Sequence, residues 1–325
     1  MSDVTIKGKN GNYHFDPDAL LSPTKGFGRV FKGVCIETGE GIAVKMLHPS
    51  LKDSRGALLR FVQEGLMMRY DCPQLIKMMD FCTLDGNAFV VSELLIGSDL
   101  KKFLEKNKLS GSDKIIFLTK CFIQLCHALE FLHNKKVYHT DIKPRNLFFL
   151  HDSNRKDAIE NPHLKLIDLG LAYTDDPAFL NTRLPYSLVY SPPEQILGAK
   201  ELLGPHTDMY AAGMTFYEFM CGHPPFDSDN PVKLMSMQMN MALPRTTEIP
   251  EALMQIIDKT TSKSRMQHAP NQYGKEELGQ ILVEGIKNRY VNAVDLRVSL
   301  EEFLESYKTQ LPTSSKSFLG IFKKK

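Results

Sequence analysis

Three stretches of this 325-residue chain carry oxygen ligands and cations at spacings suited to chemistry. In His139-Thr140-Asp141-Ile142-Lys143-Pro144-Arg145-Asn146, a carboxylate is followed by an ammonium two residues on and a side-chain amide three residues later. The apolar run Leu164-Lys165-Leu166-Ile167 ends in Asp168, Leu169 and Gly170, with Asp168 lying 22 residues past Asn146. Upstream, Lys45 closes the apolar run Gly41-Ile42-Ala43-Val44, whose alternation sets the lysine on one face, and Glu64 follows 19 residues later. Phosphoryl transfer from a nucleotide asks for little covalent work. Phosphates must be held, a hard cation given oxygen ligands, and an acceptor hydroxyl positioned. These residues are candidates for all three tasks.

The elements that must position them can be read from hydrophobic periodicity. Gly28 to Val34, Gly41 to Leu47 and Asn87 to Leu95 read as strands of an antiparallel sheet. Between the second and third, Ser54 to Tyr70 reads as a helix capped by Ser54, with Leu58, Phe61, Val62 and Leu66 as its apolar face. After Gly97 the pattern turns helical. From Asp113 to His133, Leu118, Phe122, Leu125, Leu129 and Leu132 recur at helical spacing in a helix expected to be buried on more than one side. Residues 151–163 and 263–285 are polar and read as surface additions.

Taken together, these motifs resemble eukaryotic-like (Hanks-type) protein kinases of the Ser/Thr class, most of all the bacterial ones, over about residues 15–308. The resemblance implies an α+β, bilobal protein kinase fold: a small β-rich N-lobe with one main helix and a larger helical C-lobe. The implied boundaries are an N-terminal extension at 1–14, the N-lobe at 15–95, the C-lobe at 96–308 with the two insertions, and a tail at 309–325. His139-Thr140-Asp141 and Asn146 are similar to the family's H-R-D-L-x-x-x-N loop, which makes Asp141 the catalytic base and Asn146 a magnesium ligand. Lys143 would meet the γ-phosphate. Asp168-Leu169-Gly170 is similar to D-F-G, with Asp168 the second magnesium ligand, and Lys45 with Glu64 is similar to the ion pair of the active state.

The same resemblance implies a nucleotide site formed by Lys25, Gly26, Gly28, Val30, Ala43, Lys45, Glu93, Leu95 and Phe148, with Ser92 as gatekeeper. Tyr190-Ser191-Pro192-Pro193-Glu194 resembles the A-P-E end of the activation segment, where Thr182 and Ser187 also fall, and Ser187 occupies the position of a threonine that contacts the catalytic Asp. Asp208 would anchor the catalytic loop. Arg289, in preference to Arg297, would pair with Glu194. ATP with Mg2+, or Mn2+ in its place, is the implied cofactor set, and a protein hydroxyl the acceptor.

Two departures bear on activity. Pro23 and Lys25 stand where the nucleotide loop's first two glycines belong, which removes one backbone N–H donor and limits close approach of phosphate. Thr140 replaces the Arg of H-R-D, so phosphorylated Thr174, Thr182 or Ser187 would have one fewer cation to bind, and activity is expected without activation-loop phosphorylation. A pseudokinase scaffold and a small-molecule phosphotransferase are the competing readings. The first loses to the presence of Lys45, Glu64, Asp141, Lys143, Asn146 and Asp168, the second to Lys143, Ser187 and the P-P-E segment.

Bulk composition narrows the partners. Forty basic and thirty-eight acidic residues give a formal charge of +2, which supplies no field for nonspecific nucleic-acid binding. Cys35, Cys72, Cys82, Cys121, Cys126 and Cys221 lack metal-ligand spacing and read as reduced thiols. No signal-peptide pattern is present, and no apolar run is expected to cross a bilayer, so a cytoplasmic location is expected. The tail segment 316–325, with four lysines and four large apolar residues, is a candidate for peripheral contact with an anionic membrane. Oligomeric state is left open.

Overall fold

The computed structural model describes residues 4–22, 28–151, 158–174 and 186–311. They fall into two compact units, Met1–Ile96 with Ile167–Arg183 and Gly97–Leu166 with Leu184–Lys325.

The first unit contains β1 (Val4–Lys7), β2 (Asn12–Ser22), β3 (Gly28–Cys35), β4 (Gly41–Leu47), α1 (Arg55–Leu66), β5 (Met78–Leu84) and β6 (Asn87–Glu93). The strands form one six-stranded sheet in the order β1-β2-β3-β4-β6-β5, with every neighbouring pair antiparallel. Alternation drives one face into a core: Phe31, Val44 and Val91 lie in register across three strands, joined by Ile6, Tyr13, Phe15, Ile42 and Phe89. Residues 4–14, expected to precede the sheet, instead supply β1 and the start of β2, because Ile6 and Tyr13 fill its core. Residues 167–174, expected with the helical part, cluster with this sheet unit.

Ser54 caps α1 by accepting from the backbone N–H of Ala57 at 3.4 Å. The buried face differs from the expected one. Leu58 and Leu66 are exposed, while Phe61, Gln63, Glu64 and Gly65 turn inward. Gly65 has no room for a Cβ, which would lie 2.8 Å from Cδ2 of Phe81 on β5. Only glycine lets helix and strand approach this closely.

The second unit opens with β7 (Gly97–Asp99), α2 (Leu100–Asn107), α3 (Gly111–Asn134), β8 (Val137–Tyr138), β9 (Leu147–Leu150) and β10 (Leu164–Leu166). β9 pairs antiparallel with β10 and β7, so residues 151–163 connect two paired strands. After β11 (Tyr173–Thr174) of the first unit come α4 (Pro193–Ile196), α5 (Pro205–Cys221), α6 (Pro231–Asn240), α7 (Glu251–Thr260), α8 (Lys275–Lys287) and α9 (Ala293–Gln310). α3 is long and apolar enough to cross a membrane by length and composition, contrary to expectation, but Leu118, Phe122, Leu125, Leu129 and Leu132 are buried in this unit's core. The stretch 263–285 holds most of α8, whose Leu282 packs with Met239 and Met266, so it is more than a polar surface addition. All six cysteines are free thiols.

Candidate active site

In the first unit, register carries the lysine to its partners. Ile42 and Val44 enter the core, so Ala43 and Lys45 occupy the opposite face of β4, with Val30 opposite Lys45 and Ser92 opposite Ala43. Lys45 Nζ donates to both carboxylate oxygens of Glu64, at 2.9 and 2.7 Å, and to Asp168 Oδ1 at 3.3 Å. Burial works to lower the pKa of Lys45, but the carboxylates of Asp168 and Glu64 outweigh it and hold the pKa above its ordinary value. The ammonium therefore stays charged at any physiological pH. Asp168 has a left-handed backbone, with φ of 64°, and Gly170 lies against the cluster: a Cβ there would sit 3.3 Å from Glu64 Oε2 and 3.4 Å from Asp168 Oδ1.

Gly28 opens β3, and a Cβ on it would lie 2.6 Å from the Met46 carbonyl oxygen of β4. Strand packing thus requires the glycine independently of any phosphate. Glu93 ends β6, where its N–H donates to Lys77 O at 3.0 Å and its Oε1 accepts from Lys77 N at 2.7 Å. Leu95 follows in the connection after β6. Lys25 and Gly26, with Pro23, lie outside the described residues.

In the second unit, a buried carboxylate organises the loop. Asp208, on α5, accepts from the backbone N–H groups of His139 and Thr140 and is bonded to His133 Nε2, each at 2.8 Å. Burial would raise its pKa, but the His133 bond and neighbouring donors win and hold it below the ordinary 3.8. Thr140 has φ of 58°, a left-handed conformation unusual for a β-branched residue. Its carbonyl accepts from Gln195 Nε2 at 2.7 Å, so both peptide groups flanking the strained residue are held.

The held loop presents Asp141. Its Oδ1 accepts from Ser187 Oγ at 2.8 Å, its Oδ2 pairs with Lys143 Nζ at 2.5 Å, and Lys143 also reaches Ser187 Oγ at 3.1 Å. Asn146 Nδ2 donates to Asp141 O at 2.8 Å, which leaves the Asn146 amide oxygen directed elsewhere. Asp141 and Asn146 are both buried. Phe148 lies in β9, opposite Lys165 and Asp99. Side-chain oxygens of Asn146 and of Asp168, which is about half exposed, are of the hard type that magnesium prefers.

Glu194 and Arg289 form a bidentate pair at 2.6 and 3.1 Å, with both side chains almost wholly buried. Arg297 is engaged with Glu301 and Glu130 instead. Thr182 lies outside the described residues. Sequence reasoning missed Gln195, which immediately follows the P-P-E segment.

The protein kinase domain family model matches residues 25–273, more than half of the chain, and the chain belongs to that family. It is 26% identical over 254 residues to the serine/threonine-protein kinase pkn2 of Myxococcus xanthus, covering 73% of this chain and 29% of that protein. It is 24% identical over 246 residues to the probable serine/threonine-protein kinase PknB of Lactococcus lactis, covering 73% of this chain and 37% of that protein. The chain thus spans well under half the length of these relatives. The PknI kinase domain of Mycobacterium tuberculosis, solved as a double mutant, shares the fold with a TM-score of 0.64 over 92% of this chain and 97% of that one, at 15% identity.

Proposed function

We propose that the chain is an ATP-dependent protein Ser/Thr kinase, with Asp141 receiving the acceptor hydroxyl's proton as the γ-phosphoryl group is transferred. The observation that carries this reading is the Asp141–Ser187–Lys143 set, a buried carboxylate held by a hydroxyl and an ammonium at 2.8 and 2.5 Å. A base must be fixed in direction to take a proton from a substrate oxygen, and this one is fixed at both oxygens. Lys143 supplies positive charge where the transferred group acquires negative charge. Lys45, oriented by Glu64, pairs with the α- and β-phosphates, with Val30, Ala43, Ser92 and the backbone of Glu93 and Leu95 assigned to the adenine. Asn146 and Asp168 would hold Mg2+, or Mn2+, which would neutralise phosphate charge when bound.

Two regulatory readings belong with this proposal. Because Thr140 offers no cation to an activation-segment phosphate, basal activity should not require phosphorylation; a large rate increase on phosphorylating Thr182 would count against that. The chain is proposed to be cytoplasmic, with a protein acceptor and no nucleic-acid partner. Contact of residues 316–325, which lie outside the described residues, with anionic membranes is tested by liposome co-sedimentation with and without that segment.

The deciding experiment is transfer of γ-labelled phosphate from ATP and Mg2+ to the protein itself and to casein, comparing wild type with Asp141→Asn and Lys45→Met. Label on Ser or Thr that vanishes in both variants supports the kinase. Nucleotide binding by wild type without transfer would instead make the chain a pseudokinase scaffold.

A further inference from the structure

The segment from residue 263 onward, which leads into α8, carries an unusual cation into the second unit. Lys263 Nζ lies 4.8 Å from the ring centre of Phe226 and 5.5 Å from that of Tyr210, and it donates to the Tyr210 hydroxyl at 3.1 Å. Tyr210, buried on α5, passes the contact on: its hydroxyl donates to Gln238 Oε1 at 2.9 Å. Gln238, buried on α6, donates through Nε2 to the carbonyl of Val189, two residues after Ser187. Tyr190 N and Ser191 Oγ return bonds to the Ser187 carbonyl, so Val189 lies within one bonded turn with the serine that contacts Asp141. Gly285 of α8 makes the lysine's approach possible, since a Cβ there would lie 2.6 Å from Ser264 N and 2.9 Å from Lys263 Cα.

We infer that Lys263 is a positioning residue for the acceptor-side segment 186–191, acting through Tyr210 and Gln238 on Val189. The inference rests on the kinase reading for its functional consequence, on the contact geometry for its structural one, and on the titration of Lys263 for its pH dependence. Charged neighbours define how the lysine titrates. Arg289 stacks on the same Tyr210 ring at 4.9 Å and is itself neutralised by Glu194, while His206, at the start of α5, is bonded to the Leu202 carbonyl. Among the described residues, no carboxylate lies within ion-pair distance of Lys263. Burial first, and then the charge of Arg289, bring its pKa down to about 7, whereas burial keeps the Tyr210 hydroxyl protonated. Protonated Lys263 polarises the Tyr210 hydroxyl and strengthens the next bond in the relay. The segment is therefore held most firmly below pH 7 and loosens as pH rises.

The folding consequence has the opposite sign. An unfolded lysine stays protonated to about 10.5, so between about 7 and 10.5 the unfolded chain binds more protons and this group's contribution to stability rises with pH. A merely structural buried lysine would produce that stability trend and leave the segment unchanged.

The test is amide hydrogen exchange across residues 186–191 from pH 6 to 8.5, corrected for intrinsic exchange, in wild type, Lys263→Met and Tyr210→Phe. Acceptor and ATP KM values are measured on the same proteins with casein. Protection in wild type should fall as pH rises through about 7, and both variants should lose that dependence. KM for casein should rise roughly five-fold in each, the effect of one lost buried hydrogen bond, with KM for ATP unchanged. A wild-type protection profile that is flat with pH, or one that Lys263→Met leaves unaltered, would overturn the inference without any folding question, because the wild-type series needs no variant. If wild type transfers no phosphate, the kinase reading fails while the exchange arm still decides the relay.

Discussion

Arg289 reaches Glu194, 95 residues earlier in the chain, through two parallel hydrogen bonds, and each side chain is at most 1% exposed. The pair is supported from outside, with Arg289 Nε donating to Ser262 O at 2.7 Å and Thr207 Oγ1 to Glu194 Oε1 at 3.4 Å. Removing one partner leaves an uncompensated buried charge, so Arg289→Ala should lower stability by about 3–5 kcal/mol. Lysine lacks the planar fork, and Arg289→Lys should recover only part of that loss. Denaturant unfolding at constant pH measures both.

The Lys45 cluster invites a subtler perturbation than its deletion. On the role proposed for Lys45, Lys45→Met should abolish most phosphate transfer, by roughly 10²-fold or more, because the cation assigned to the phosphates is lost. Gly170→Ala leaves the lysine intact and places a methyl group against both of its carboxylate partners, at 3.3 and 3.4 Å. The carboxylates must shift by a few tenths of an ångström. Expected is a loss of roughly 10-fold to 10²-fold in transfer rate, the scale of a small misplacement near reacting groups, with little change in melting temperature. Steady-state assay beside thermal unfolding separates the two effects.

Legibility in the sequence followed the kind of interaction involved. The α+β fold and the local motifs could be read because strand alternation and short fixed spacings carry them: Lys45 follows Val44 on β4, and Asp141, Lys143 and Asn146 share one loop. β5 was missed because Asp80, entirely buried, breaks its apolar run. Its carboxylate is satisfied by Asn10 N at 2.7 Å, Tyr13 OH at 3.1 Å and Phe81 N at 2.9 Å, partners up to 70 residues away that no local pattern announces. The buried face of α1 was misjudged for a different reason. Hydrophobic spacing favoured Leu58 and Leu66, whereas the ion pair with Lys45, which the motifs did announce, turns Glu64 inward and leaves both leucines exposed. In α8, Leu278, Ile281, Leu282 and Ile286 do recur at helical spacing, and the polar residues around them masked that pattern.

Gly28 offers a test of why a nucleotide-loop glycine is needed. Its missing Cβ accommodates the Met46 carbonyl at 2.6 Å, a contact with backbone that a side-chain rotation cannot relieve. Gly28→Ala should therefore destabilise the sheet unit by about 1–3 kcal/mol even without nucleotide. A variant with unchanged nucleotide-free stability and weakened ATP binding would place the requirement on the phosphates instead.

Asp208 links the loop's geometry to acid stability. In the folded protein its carboxyl is held below 3.8, against the opposing effect of burial, chiefly by the His133 hydrogen bond, with further help from His139 and the Thr140 N–H. As pH falls, the unfolded chain takes up this proton first, so the stability contributed by Asp208 is complete above about 3.8 and is lost as pH drops through the lower folded value. Asp208→Asn has no such proton to bind. Its stability should be lower than wild type near neutral pH, because the charge-assisted bonds are gone, and should fall less steeply below pH 4. Urea midpoints measured from pH 3 to 6 give both slopes, and parallel slopes would show that Asp208 contributes nothing to the acid transition. The strained Thr140 should report the same event locally. Once Asp208 is protonated, its hold on the His139 and Thr140 N–H groups weakens, and amide exchange at those two positions should accelerate before global unfolding begins.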